Sequence, residues 1–138
     1  MVREENPLVL IVDDDADVLG LLQIVLSSLE VRLETVFTGE EALEILRERE
    51  ASLLILDKNL PGIDGLETGR RARRLRPDVA LAMVTGYPSD RAREDAREIG
   101  FDEYLRKPID VADFRRRMRD LLPRSSSPPE DTGAEAAR

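Results

Sequence analysis

The chain contains no cysteine and no histidine. Without thiols there is no disulfide framework and no thiolate metal site. Without imidazole there is no His-ligated zinc, no Ser-His-Asp triad and no phosphohistidine carried on this chain. No apolar run approaches the length of a bilayer span. The opening stretch MVREENP lacks the apolar core of a secretion signal, which makes the cytoplasm the expected location. Neither GxxxxGK[ST] nor GxGxxG occurs, so the common nucleotide-binding loops are set aside. Positive charge is the scarcer sign: 21 Lys and Arg against 29 Asp and Glu give a net charge of −8, which argues against direct nucleic-acid binding.

What is present suits one domain. The 138 residues are 41% hydrophobic, enough for a real core. Residues 8–12 (LVLIV), 53–56 (LLIL) and 79–84 (VALAMV) are short continuous apolar runs, the pattern of strands buried on both faces of a parallel sheet. Residues 32–37 and 103–105 read as two further strands. Between them lie helical stripes: Val18, Leu21, Leu22, Val25, Leu26 and Leu29 in 17–29; Ala42, Leu43, Ile45 and Leu46 in 40–49; an Arg-rich helix over 66–75; a polar helix over 89–99 closed by Gly100; and Val111, Phe114, Met118, Leu121 and Leu122 in the last. Thr38-Gly39 reads as a break. Five alternations of strand and helix predict an α/β fold, a parallel sheet with helices on both faces. From Pro123 onward Ser, Pro, Glu, Gly and Ala replace the apolar periodicity, so residues 1–122 are expected to form the domain and 123–138 a disordered tail or linker.

The strand ends carry the chemistry. Asp13-Asp14 follow the first strand, Asp57 ends the third, Thr85 the fourth, and Lys107-Pro108 follow the fifth. In open parallel sheets ligands bind at the carboxyl ends of strands, near the point where strand order reverses. Three carboxylates brought together there repel one another and raise each other's pKa. Lys107 supplies one compensating charge. A divalent ion would supply more, and oxygen donors without His or Cys point to a hard ion, Mg²⁺. A carboxylate can attack phosphorus to give an aspartyl phosphate, a reaction catalysed mostly by positioning and charge neutralisation.

These residues resemble the receiver domain of bacterial two-component response regulators, of the kind found in chemotaxis regulators. The resemblance runs from about Leu8 to Leu122. It rests on Val12-Asp13-Asp14, on LDKNLPGIDG from Leu56 to Gly65, on Val84-Thr85-Gly86 and on Tyr104-Leu105-Arg106-Lys107-Pro108, four motifs in the right order at strand ends. It implies a five-stranded, flavodoxin-like sheet in the order 2-1-3-4-5. It further implies that Asp57 is the phosphoacceptor, that Asp14 ligates Mg²⁺ directly and Asp13 through water, and that Asn59 offers the metal its backbone carbonyl. Thr85 and Lys107 would bind the phosphoryl group, with a cis Lys107-Pro108 bond, and Gly86 would leave room for it. Tyr104 would be the switch aromatic, turning inward as Thr85 moves. Since the chain has no histidine, the phosphodonor would be a separate sensor histidine kinase or histidine phosphotransfer protein. A downstream effector would meet the face of the fourth helix, fifth strand and last helix. The domain would act on its own aspartate and not as a turnover enzyme.

Simpler roles remain for some residues. Asp15 and Asp17 read as helix-capping acids. The arginines at 70, 71, 73, 74 and 76, and at 115, 116, 117 and 119, read as solvated helix faces. The fourth helix has only Ala92, Ala96 and Ile99 as apolar anchors, so it is expected to be locally unstable. Ile109 stands where the family commonly has Phe. A haloacid-dehalogenase-like phosphatase would need a second Asp two residues after the nucleophile; Asn59 stands there and cannot serve as the general acid. The alternative that keeps the same chemistry is a receiver fragment of a larger regulator whose output domain, for example a DNA-binding one, is missing.

Overall fold

The computed structural model describes residue 3 and residues 5–123. All but the first residue of the expected tail lies outside the described residues. The chain alternates β1 (Leu8–Val12), α1 (Ala16–Leu26), β2 (Arg32–Val36), α2 (Gly39–Glu48), β3 (Leu53–Asp57), α3 (Gly65–Leu75), β4 (Ala80–Thr85), α4 (Asp90–Ile99), β5 (Glu103–Arg106) and α5 (Val111–Leu121). The five strands form one sheet in the order β2-β1-β3-β4-β5, and every pairing is parallel.

The apolar runs divide by strict alternation. Leu8, Leu10 and Val12 of β1, with Leu54 and Leu56 of β3, face a cluster that includes Ala42, Leu43 and Leu46 of α2 and Ala72 of α3. Val9, Ile11, Leu53 and Ile55 face the opposite side, where Leu19, Leu22, Val25 and Leu26 of α1 and Phe114 and Met118 of α5 cover them. A period of two along strands buried on both faces is why these runs are continuous rather than alternating in the sequence. A third, smaller cluster lies under α4: Leu66, Met83, Ala92 and Ala96, with Ile99, Phe101 and Tyr104 packed against it.

Each helix begins at a side-chain cap. Asp15, Thr38, Asp64, Ser89 and Asp110 all accept backbone N–H groups from the first turn that follows, satisfying donors that have no intrahelical partner. Thr38-Gly39 is therefore not a break. Thr38 is the cap of α2 in a reciprocal capping box with Glu41, and Gly39 is the first helical residue. Helix α4 ends at Gly100, whose φ of 105° is open to glycine and costly for other residues.

Candidate functional site

The register of the sheet brings the strand-end residues together. Val12 pairs with Leu56, so Asp13 and Asp57, one residue further on, lie side by side across β1 and β3. Asp57 pairs with Val84, which sets Thr85 at the end of the adjacent strand, and Thr85 pairs with Arg106, one residue before Lys107. The Lys107 backbone N–H donates to the Thr85 carbonyl at 2.8 Å. Between β1 and β3 the chain has gone outward to β2 and crossed back, so the site sits at the reversal of strand order.

Carboxylate oxygens of Asp13, Asp14 and Asp57 all lie within 4.8 Å of one another. Asp13 and Asp57 are buried and Asp14 is exposed. The Lys107 ammonium lies 2.9 Å from Asp13 Oδ2 and 3.7 Å from Asp57 Oδ2. Asp13 Oδ1 also accepts the Asp15 backbone N–H at 3.0 Å, so Asp13 is held by two donors. Asp57 has less: the nearest backbone donor is the Asn59 N–H, a long 3.5 Å from Oδ1. Burial, and then repulsion from Asp13, push the Asp57 carboxyl above its ordinary value; Lys107 and the Asn59 amide pull the other way and Asp14 adds to the rise. For Lys107 burial alone would lower the pKa, but its hydrogen bond and attraction to Asp13, with Asp57 and Asp15 behind, leave it raised and the ammonium charged.

The donor set fits a hard divalent cation. Three carboxylates meet one lysine, and all the offered side-chain atoms are oxygen.

Thr85 is fully buried, and its Oγ1 accepts the Tyr87 backbone N–H at 3.1 Å, which leaves the hydroxyl hydrogen available to a ligand. A Cβ on Gly86 would meet no atom within 4 Å, so space opens beside Thr85. The Lys107-Pro108 peptide bond is cis. Tyr104, on β5, is half-buried; its hydroxyl accepts the Ser89 backbone N–H at 3.3 Å. The seven site residues expected from sequence thus divide into two groups. Asp13, Asp14, Asp57, Asn59, Thr85 and Lys107 converge at the strand ends, and Tyr104 sits against the start of α4.

Two supporting residues were not singled out from sequence. A Cβ on Gly65 would lie 2.2 Å from the Asp57 carbonyl oxygen, and the Gly65 N–H donates to the Lys58 carbonyl at 2.8 Å. It lets α3 close directly over the end of β3; the Asp64-Gly65 pair is the signal the sequence offers. Arg93, whose guanidinium lies 4.6 Å from the Tyr104 ring centroid, carried no signal, because nothing in its spacing points across to β5.

A family model described as the response regulator receiver domain matches residues 9–119. The chain belongs to that family. Receiver domains of this family belong to phosphorelay signalling. The transcriptional regulatory protein PrrA of Mycobacterium tuberculosis is 34% identical over 122 residues, covering 88% of this chain and 52% of PrrA. The transcriptional regulatory protein AfsQ1 of Streptomyces coelicolor is 32% identical over 128 residues, covering 93% of this chain and 56% of AfsQ1. The receiver domain therefore spans about half the length of the curated relatives it matches. Among solved structures, a CheY-like receiver domain from Methanospirillum hungatei superposes with a TM-score of 0.80 at 29% identity, covering 84% of this chain and 93% of that one. No helix among the described residues is long and apolar enough to cross a membrane.

Proposed function

We propose that the receiver works by accepting a phosphoryl group on Asp57 and releasing it again by hydrolysis. The observation that carries this reading is the placement of Asp57: a buried carboxylate at the strand-order reversal, within 4.8 Å of two others and 3.7 Å from a lysine ammonium. An Asp57 oxygen attacks phosphorus, the bond from phosphorus to the donor's imidazole nitrogen breaks, and the electron pair leaves with the imidazole. Water later cleaves the acyl phosphate and restores the carboxylate. The donor is a histidine kinase or a histidine phosphotransfer protein, or a small phosphodonor; a phosphohistidine would sit on another molecule, since this chain has no histidine.

Asp14 and Asp57 would ligate Mg²⁺, with Asp13 acting through water and Asn59 through its carbonyl. When bound, the ion neutralises charge on the transferring phosphoryl oxygens. Lys107 offers a second positive charge to the same oxygens and the Thr85 hydroxyl donates to one of them. Thr85 moving toward the phosphoryl group vacates the space into which Tyr104 turns. The face of α4, β5 and α5 then changes for an effector, as a shift between two conformers. Apart from this chemistry on its own aspartate the domain turns over no metabolite. Residues 1–122 form the receiver, the remainder a tail or linker, and the setting is cytoplasmic.

A second reading concerns what the receiver controls. PrrA and AfsQ1 are transcriptional regulatory proteins of nearly twice the matched length, which favours a receiver that belongs to a larger regulator with an output domain.

Intact-mass spectrometry after incubation with acetyl phosphate and Mg²⁺ tests the chemistry. A gain of about 80 Da, one phosphoryl group, is expected in the wild type and is expected to vanish with EDTA and in Asp57→Asn. An adduct that survives in Asp57→Asn would place the nucleophile elsewhere.

A further inference from the structure

The Tyr104 side chain is tied to α4 at both its ring and its hydroxyl. Ser89, which donates its backbone N–H to the hydroxyl at 3.3 Å, is the N-cap of α4, and its own Oγ accepts the Ala92 N–H at 3.0 Å. Arg93, whose N–H closes the same turn on the Ser89 carbonyl at 3.0 Å, sets its guanidinium 4.6 Å from the ring centroid. That is within range of a cation–π contact. Its helix neighbours Arg91 and Arg97 pair with Asp95 and Glu94. Arg93 is in no ion pair among the described residues, so the Tyr104 ring is the partner that orders it.

The clasp matters because α4 has little else at this end. Its buried residues are Ala92 and Ala96. The far end is better anchored: Arg73 donates to the Gly100 carbonyl at 2.7 Å, Phe101 packs so closely on Gly69 that a Cβ there would lie 2.4 Å from the ring, and Asp102 accepts the Leu81 N–H at 3.0 Å. The N-terminal turn of α4 is therefore held by Tyr104, and Tyr104 by that turn.

We propose that Arg93 is a positioning residue of the switch: its stacking on Tyr104 stabilises the resting conformer and so sets how tightly the Asp57 site must bind a phosphoryl group to flip it. This rests on the reading of Asp57, Thr85 and Tyr104 given above. A ligand shifts a two-state equilibrium only by its difference in affinity for the two states, and a contact present in one state alone subtracts from the apparent affinity of a ligand that selects the other. An inward turn of Tyr104, as proposed above, would take the ring from Arg93 and the hydroxyl from the Ser89 N–H. Removing the guanidinium therefore tightens the site for its ligand, although Arg93 lies outside that site.

The test is a titration of the full chain, in excess Mg²⁺, with beryllium fluoride as a phosphoryl mimic, followed by amide NMR shifts. The proteins are wild type, Arg93→Ala, Arg93→Lys, Tyr104→Ala and the double variant with Ala at 93 and 104. Arg93→Ala is expected to bind about two- to fivefold more tightly than wild type, the worth of one exposed cation–π contact. Arg93→Lys, which keeps the cation, should fall between. In the Tyr104→Ala background, Arg93→Ala should change nothing, which separates a contact with the ring from a general effect on helix stability. Equal or weaker binding by Arg93→Ala, or an equal effect with and without the ring, overturns the proposal while leaving the Asp57 chemistry standing. A wild type that shows no Mg²⁺-dependent binding overturns both.

Discussion

Every residue of β1 and of β3 is buried, whereas β5 has three half-buried residues and an exposed one. The helices differ in the same direction. Helix α1 buries Leu19, Leu22, Val25 and Leu26; α4 buries two alanines. The region around β1 and β3 is thus more densely packed than the region around β5 and α4. The half around β1 and β3 presents Asp13, Asp14 and Asp57, which in the proposed phosphoryl transfer would have to hold their geometry closely for charge neutralisation to work. The half around α4 and β5 carries Tyr104 and is the one proposed above to change for a partner. Dense apolar packing supplies the first property and its scarcity the second, since local opening free energies follow buried apolar contact.

The comparison breaks most visibly in the core. Phe114→Ala should cost about 3–5 kcal/mol in urea denaturation, because a fully buried ring is removed from the cluster that joins α5 and α1 to the sheet. A loss under about 1 kcal/mol would mean that this side is not close-packed. Gly65→Ala should cost about 1–3 kcal/mol by forcing α3 away from the Asp57 carbonyl. It should also slow phosphorylation, whereas a purely structural glycine would leave the phosphorylation rate unchanged. Hydrogen exchange should show α4 amides opening at least roughly tenfold faster than the buried face of α1; equal protection would remove the distinction between the halves.

A pH experiment sharpens the site side of the comparison. The Asp57 carboxyl titrates above its unfolded value of 3.8 in the fold, chiefly because it is buried and then because Asp13 is beside it. The folded state thus holds this proton more tightly than the unfolded chain. The stability this gives is fully present below about 3.8 and is lost as pH rises through the raised folded value. In EDTA, Asp57→Asn should therefore raise the unfolding midpoint at neutral pH, and the gain should shrink as pH falls toward 4. Saturating Mg²⁺ should reverse the order, because the wild type alone keeps the full ligand set. The smallest effect expected is at the N-cap of α2: Thr38→Ala should cost about 1 kcal/mol, the worth of one cap, without altering phosphorylation.

Much of this arrangement was legible in the residues, and for a physical reason. Strands buried on both faces must be continuous apolar runs, so LVLIV and LLIL announced themselves, and a polar residue ending such a run is conspicuous. That makes Asp13, Asp57 and Thr85 visible from the pattern, while Lys107, after the short polar β5, is singled out by the resemblance. The boundaries were less visible: Thr38-Gly39 looked like an interruption because a cap and a turn use the same residue types. Contacts across elements were not visible at all. Gly65 against the Asp57 carbonyl and Arg93 against Tyr104 depend on how two elements are set side by side, which no local pattern encodes. The weak half of the molecule is where sequence had least to offer, since its contacts are single pairs and not periodic faces.

The most direct measurement is hydrogen exchange of the full chain, resolved by peptide, in Mg²⁺ alone and in Mg²⁺ with acetyl phosphate. Protection is expected to change in α4 and β5 and to stay within error in β1, β3 and the buried face of α1, with no change anywhere in Asp57→Asn. A change spread evenly over both halves, or one that persists in Asp57→Asn, would contradict the division between a fixed acceptor site and a movable face.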